Sequence, residues 1–153
     1  MLLVGYKSLT QPALLETILL IQDNSESKYK SSKLKQIDLD ELSERIKTVI
    51  SKSMCFKNNQ LTLDEFSELT QIPAHQVSQV LNQKLQVNFY DFINSYRVQE
   101  VKNLFQDEKY LHYTILAIAY EAGFNSKNAF NNAFKKHTSM TPSAYRKSHI
   151  KNE

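Results

Sequence analysis

TLDEFSELTQIPAHQVSQVLN (residues 62–82) and TILAIAYEAGFNSKNAFNNAFK (114–135) are one pattern written twice. In the first, Val77, Val80 and Leu81 cluster on one side of a helix, while His75, Ser78, Gln79 and Asn82 face the other way. Phe130, Ala133 and Phe134 repeat the apolar set, with Asn128, Asn131, Asn132 and Lys135 opposite them. All seven pairs stand 53 positions apart, as His75 and Asn128 do. Upstream, Thr62, Leu63 and Phe66 answer Thr114, Ile115 and Ile118 at a separation of 52, so the second turn holds one added residue near Gly123 and Phe124. Two helix-turn-helix units, each with a polar helix face, are what a chain that meets duplex DNA at two places requires.

Working outward, the rest of the chain completes an all-α plan. Only two glycines and three prolines punctuate 153 residues, and apolar residues recur at spacings of 3 and 4. The expected architecture is two helix-turn-helix subdomains, at about 62–84 and 114–137, joined by a long linker helix and preceded by an N-terminal helical extension. The extension is placed at 1–60 and the DNA-binding domain at 61–150. Within the extension an apolar segment runs to Gln22, with a helix starting near Gln11 and Pro12, and a polar linker follows from Asp23 to Gln36. Asp38 and Glu41 then have the spacing of a capping box. They open a helix to about Ser53 whose apolar face is Leu39, Leu42, Ile46, Val49 and Ile50. That stripe fits packing against Leu61–Phe66 or contact with a second copy of the chain, and packing is the simpler reading.

Inside the repeat, Thr62 and Glu65 form another capping box, and the helix after them is expected to bury Leu63, Phe66 and Leu69. A break at Gln71, Ile72 and Pro73 puts proline in the first turn of the next helix. Asn88 caps the linker helix, whose apolar residues are Phe89, Phe92, Ile93, Tyr96, Val101, Leu104 and Phe105. Gly123 permits a left-handed helix end, and Thr141-Pro142 opens the last helix. Taken singly, each outward polar residue reads as ordinary solvated surface. The same face recurring at a fixed separation favours function, because Asn and Gln form paired hydrogen bonds to adenine in the major groove.

Net charge is only +3, but its distribution is uneven. From Ser126 to Asn152 the chain carries Lys127, Lys135, Lys136, Arg146, Lys147 and Lys151 and no acid, which favours a phosphate-facing surface.

These residues carry a family resemblance. Leu61–Arg146 resembles the DNA-binding domain of the AraC/XylS transcription regulators. The elements are Ile118-Ala119, Gly123-Phe124, Ser126, Phe130, Phe134-Lys135-Lys136, Pro142 and Tyr145-Arg146, with a looser match through Leu63, Ser78, Leu81, Phe89 and Arg97. The resemblance implies about seven helices and two recognition helices in successive major grooves of double-stranded DNA. Base contacts are then expected from His75, Ser78, Gln79, Asn82, Lys127, Asn128, Asn131 and Asn132. Lys135, Lys136, Arg146 and Lys147 are expected to hold phosphates and set register. Gln86 and Ser139 depart from positions where the family often has glycine. If the backbone there has positive φ, each costs about 1 kcal/mol. NFYDFINSYRV, GFNSKNAF and FKKHTSMTPSAYR are most similar to a subgroup found in Bacteroidetes-type bacteria, in part of which the domain follows a membrane-spanning or other sensor region. The expectation is therefore the cytoplasmic C-terminal part of a longer regulator. Sixty residues ahead of the domain are too few for the β-barrel effector pocket common in the family.

Other classes fit poorly. Gly5 and Gly123 lie far apart, so there is no glycine-rich phosphate loop. His75, His112, His137 and His149 lack metal-ligand spacing, and neither metal nor cofactor is expected. Cys55 has no activating neighbour in sequence, and a single cysteine excludes an internal disulfide and fits a reducing cytoplasm. The longest apolar run, Ala13–Ile21, carries Glu16 and falls short of the roughly 20 residues a spanning helix needs. The stronger rival to a transcription regulator is a helical protein-interaction module of the same fold, since residues 61–153 hold 10 basic and 9 acidic side chains. Expected partners are duplex DNA, RNA polymerase if the protein activates, a second copy through the N-terminal extension, and an upstream sensor or membrane region.

Overall fold

The computed structural model describes residues 38–149. The apolar segment to Gln22, the linker Asp23–Gln36 and Lys151 lie outside the described residues. Among the described residues every regular element is helical, as expected. Helix α1 covers 38–53, α2 Leu63–Thr70, α3 Ala74–Gln83, α4 Phe89–Gln106, α5 Ile115–Glu121, α6 Lys127–Thr138 and α7 Pro142–His149. Two single 3-10 turns, Cys55–Lys57 and Glu108–Tyr110, stand one ahead of each helix-turn-helix unit.

The caps explain the boundaries. Thr62 Oγ1 accepts from Glu65 N at 3.2 Å while Glu65 Oε2 accepts from Thr62 N at 3.0 Å, so the expected capping box forms. Asn88, Thr114, Ser126 and Thr141 each accept from the backbone N–H three residues on, starting α4, α5, α6 and α7. Asp38 is already helical and so does not stand at the cap position expected for it. Pro73 is the N-cap of α3, one position before the first turn.

Two apolar clusters fill the fold. Ile46 and Ile50 of α1, Phe56, Leu61, Phe66 of α2, Val77, Val80 and Leu81 of α3, and Phe89, Phe92 and Ile93 of α4 are buried in the first. Val98, Val101, Leu104 and Phe105 of α4, Ile118, Ala119, Phe124, Phe130, Ala133, Phe134 and Tyr145 are buried in the second. Helix α4 belongs to both because its apolar face turns. At about 100° per residue, Val98, Val101 and Phe105 stand about 160° around the axis from Phe89, Phe92, Ile93 and Tyr96. Val98, not anticipated as a core residue, begins the second face and is 2% exposed.

One expected core residue is corrected. Leu69 is 49% exposed, and the last buried position of α2 is Thr70, on the same side as Phe66 and with its hydroxyl donated to Ser67 O at 3.1 Å. The compact unit that holds the repeat begins at Leu39, with Ile46 and Ile50 fully buried in the first cluster. The stripe on α1 packs within the unit, with Leu39, Leu42 and Val49 at its edge.

Candidate nucleic-acid interface

The repeat extends to backbone conformation. Gln71 (φ 55) and Gly123 (φ 96) are left-handed nine residues after their caps, Thr62 and Thr114. Gln86 (φ 55) and Ser139 (φ 59) are left-handed just after α3 and α6. Both departures from glycine therefore fall where positive φ is required, at roughly 1 kcal/mol each. The residue added in the second turn is Asn125, between Phe124, which matches Ile72, and Ser126, which matches Pro73. Gly123 has a second reason to be glycine. A Cβ there would lie 2.4 Å from Phe56 O and 2.8 Å from Lys57 Cα, so the second turn rests directly on the 3-10 turn ahead of the first unit.

On α3, Val77, Val80 and Leu81 are fully buried while His75, Gln79 and Asn82 are exposed and Ser78 is half-buried. On α6, Phe130, Ala133 and Phe134 are buried, Lys127, Asn128, Asn132 and Lys135 are exposed, and Asn131 is half-buried. Each outward set thus shares one helix face, as the sequence pattern required. Among the described residues, Gln79 Nε2 donates to Gln83 Oε1 at 3.3 Å. No other hydrogen bond or ion pair among the described residues engages the side chains of the eight expected base-contacting residues.

The four residues expected to hold phosphates divide. Lys135 and Lys147 are exposed and without an ion-pair partner among the described residues. Lys136 Nζ lies 2.7 Å from Asp91 Oδ2, tying the last turn of α6 to the first turn of α4. With the Lys136 side chain 60% exposed, that pair contributes at most about 1 kcal/mol. Arg146 is committed elsewhere. Its guanidinium donates to Tyr113 O at 2.7 Å, Leu111 O at 2.8 Å and Tyr110 O at 3.3 Å, and its Cζ lies 5.4 Å from the Phe105 ring centre.

Arg97 plays the same part in the first unit. Its Nε donates to Phe56 O at 2.7 Å, its Nη2 to Asn58 O at 2.8 Å and its Nη1 to Asn94 Oδ1 at 3.3 Å. Burial lowers its pKa from the ordinary arginine value. Each unit is therefore closed by an arginine on the helix that follows its second helix, holding the loop ahead of its first. The sequence carries the signal for this: Tyr-Arg occurs at 96–97 and again at 145–146. The separation of 49 is one helical turn short of 53, which hides the correspondence from a search at fixed spacing. Tyr96 meets Phe92 edge-on at 5.2 Å, as Tyr145 meets Phe134 at 5.4 Å.

No helix among the described residues is long and apolar enough to cross a membrane. No group of three or more potential metal ligands occurs among the described residues.

Residues 66–148, just over half of the chain, match a family described as a helix-turn-helix domain. The chain is 34% identical over 89 residues to a Staphylococcus aureus (strain COL) protein named as an uncharacterized HTH-type transcriptional regulator. That match covers 58% of the chain and 12% of the relative. It is 30% identical over 87 residues to the melibiose operon regulatory protein of Escherichia coli K12, covering 57% of the chain and 28% of that protein. The matches therefore span well under a third of these curated relatives. In fold, the chain is similar to a Chromobacterium violaceum transcriptional regulator described by its AraC-type DNA-binding domain, with TM-score 0.59 and 19% identity over 72% of this chain and 97% of that one. With two helix-turn-helix units on a shared helix and a family match over more than half its length, the chain belongs to the AraC-type helix-turn-helix family, a DNA-binding and non-enzymatic class.

Proposed function

We propose that this chain is a sequence-specific double-stranded DNA-binding module of a transcription regulator, with α3 and α6 entering successive major grooves. The observation that carries this is the pair of polar faces at equivalent positions of two equivalent units, nearly all of whose side chains lack a hydrogen-bond partner among the described residues. His75, Ser78, Gln79 and Asn82 on α3, with Lys127, Asn128, Asn131 and Asn132 on α6, contact bases. Lys135, Lys136 and Lys147 contact phosphates, while Arg146 chiefly holds the fold through the hydrogen bonds it already makes. The module acts in the cytoplasm, and RNA polymerase is its further partner if it activates. A second copy through the N-terminal extension and an upstream sensor region complete the proposed assembly.

The near-balance of charge over 61–153 favours one rival, a protein-interaction module of the same fold. Selection from random duplexes of roughly 30 base pairs, between about 50 and 200 mM salt, separates the two. Enrichment of two short blocks about one helical turn apart is expected. Steep salt dependence without enrichment would limit the chain to non-specific binding, and no binding at low salt would favour the rival.

A further inference from the structure

The segment ahead of α2, the start of α4 and the second turn enclose a cleft of about 140 Å³. That is well below the roughly 300 Å³ at which pockets for small organic ligands begin. Its polar lining is Asn59, Tyr90, Asn94, Arg97 and Asn125, and no carboxylate among the described residues lines it. Arg97 supplies the charge. All three of its hydrogen bonds go to neutral acceptors, and none of the ion pairs among the described residues includes it. A cation fixed among neutral groups keeps an uncompensated field toward solvent.

The remaining groups are donors in search of acceptors. Asn94 Oδ1 accepts from Arg97, which leaves the two N–H groups of its Nδ2 to donate. Asn59 and Asn125 are exposed, Tyr90 is 72% exposed, and no hydrogen bond engages these three side chains among the described residues. Three carboxamides, a phenol and a guanidinium around a space too small for a nucleoside match a phosphate oxyanion. The position matches as well. Asn125 is the residue added in the second turn, and it directly precedes Ser126, Lys127 and Asn128.

We propose that this cleft holds one phosphate of the DNA backbone, on the strand passing between the two recognition blocks. The added Asn125 exists to complete the cleft. The assignment rests on the proposed function and makes the junction of the two units a third contact on the duplex.

The test uses the full chain and the selected operator. Asn59→Asp and Asn125→Asp each place a carboxylate in the cleft without changing its size. Asn103→Asp makes the same charge change on an exposed residue of α4 outside the lining. Cleft variants are expected to lose about tenfold or more in affinity, on operator and random duplex alike, and Asn103→Asp less than about threefold. Tyr90→Phe, which removes one donor and no charge, gives a smaller loss of the same kind. A single methylphosphonate between the two blocks should weaken wild type, and that penalty should vanish in Asn125→Asp. Cleft variants that track Asn103→Asp, while wild type still binds its operator, would overturn this assignment alone. Failure of wild type to bind any duplex would overturn the proposed function and this assignment with it. Saturable binding of inorganic phosphate at Asn59 and Asn125, with an unchanged methylphosphonate penalty, would assign the cleft to a free anion and also overturn it.

Discussion

The two units share a fold and differ in charge. Between residues 62 and 84 the first carries Asp64, Glu65 and Glu68, and its one lysine, Lys84, is paired with Asp40 of α1. Between residues 114 and 137 the second carries Lys127, Lys135 and Lys136 against Glu121 alone, with Arg146 and Lys147 on the helix that follows. Phosphate attraction acts through net charge and is indifferent to sequence, whereas base discrimination depends on donors and acceptors at a helix face. On the proposed function, the second unit supplies affinity as well as recognition, and the first chiefly recognition. Their backbones differ in one respect that matters as much: the first turns through a strained Gln71, the second through Gly123 pressed on Phe56 and Lys57.

That backbone difference gives the largest expected effect. Gly123→Ala puts a Cβ within 2.4 Å of Phe56 O at a φ of 96, and should destabilise by about 2–4 kcal/mol in urea unfolding. Gln71→Gly, at the equivalent position, should stabilise by up to about 1 kcal/mol, since it relieves a left-handed conformation. Equal signs for the two would mean that the turns are not equivalent.

Arg146 comes next. Arg146→Ala removes three donors from backbone carbonyls and should cost about 2–3 kcal/mol of stability. Lys147→Ala, its neighbour, should leave stability within about 0.5 kcal/mol and lower the salt slope of DNA binding by about one. A salt slope changed by Arg146→Ala alone, with its melting temperature intact, would return Arg146 to the phosphate contacts.

Asn128→Ala and His75→Ala probe recognition directly. Each should cost about 1–3 kcal/mol on the selected site and relax preference at one base pair. The two positions match across the repeat but belong to units of opposite charge. Loss of Asn128 should leave non-specific affinity unchanged, and so should loss of His75. Equal losses on operator and random duplex would sink the base-contact assignment for that residue.

Much of this was legible before the structure. The all-helical plan, caps at Thr62, Asn88 and Thr141, the helix start at Thr114 and both polar faces follow from residue type and from spacings of 3 and 4, while the number of helices is what the family resemblance implies. What was hidden depends on distance in the chain. The clamps of Arg97 and Arg146 reach 33 to 41 residues back to carbonyls, which carry no residue identity for a sequence to display. Val98 was missed because α4 changes its buried face midway, and a single helical stripe cannot describe two cores. The cleft was missed because Asn59, Asn94 and Asn125 come together only when the second turn meets the segment ahead of α2.

Leu69 should give the smallest effect and still discriminates. Read from spacing alone it belongs with Leu63 and Phe66, and truncating a buried leucine costs about 2–5 kcal/mol. In the fold it is 49% exposed, because Thr70 fills the last inward position of α2 while its hydroxyl is satisfied by Ser67 O. Leu69→Ala should therefore cost no more than about 0.5 kcal/mol. Its counterpart at the separation of 52 is Glu121, also exposed, so the two units present unlike groups at one surface position. A loss of 2 kcal/mol or more in Leu69→Ala would place that leucine inside a contact absent from the described residues, and would break the equivalence of α2 and α5 at their outer faces.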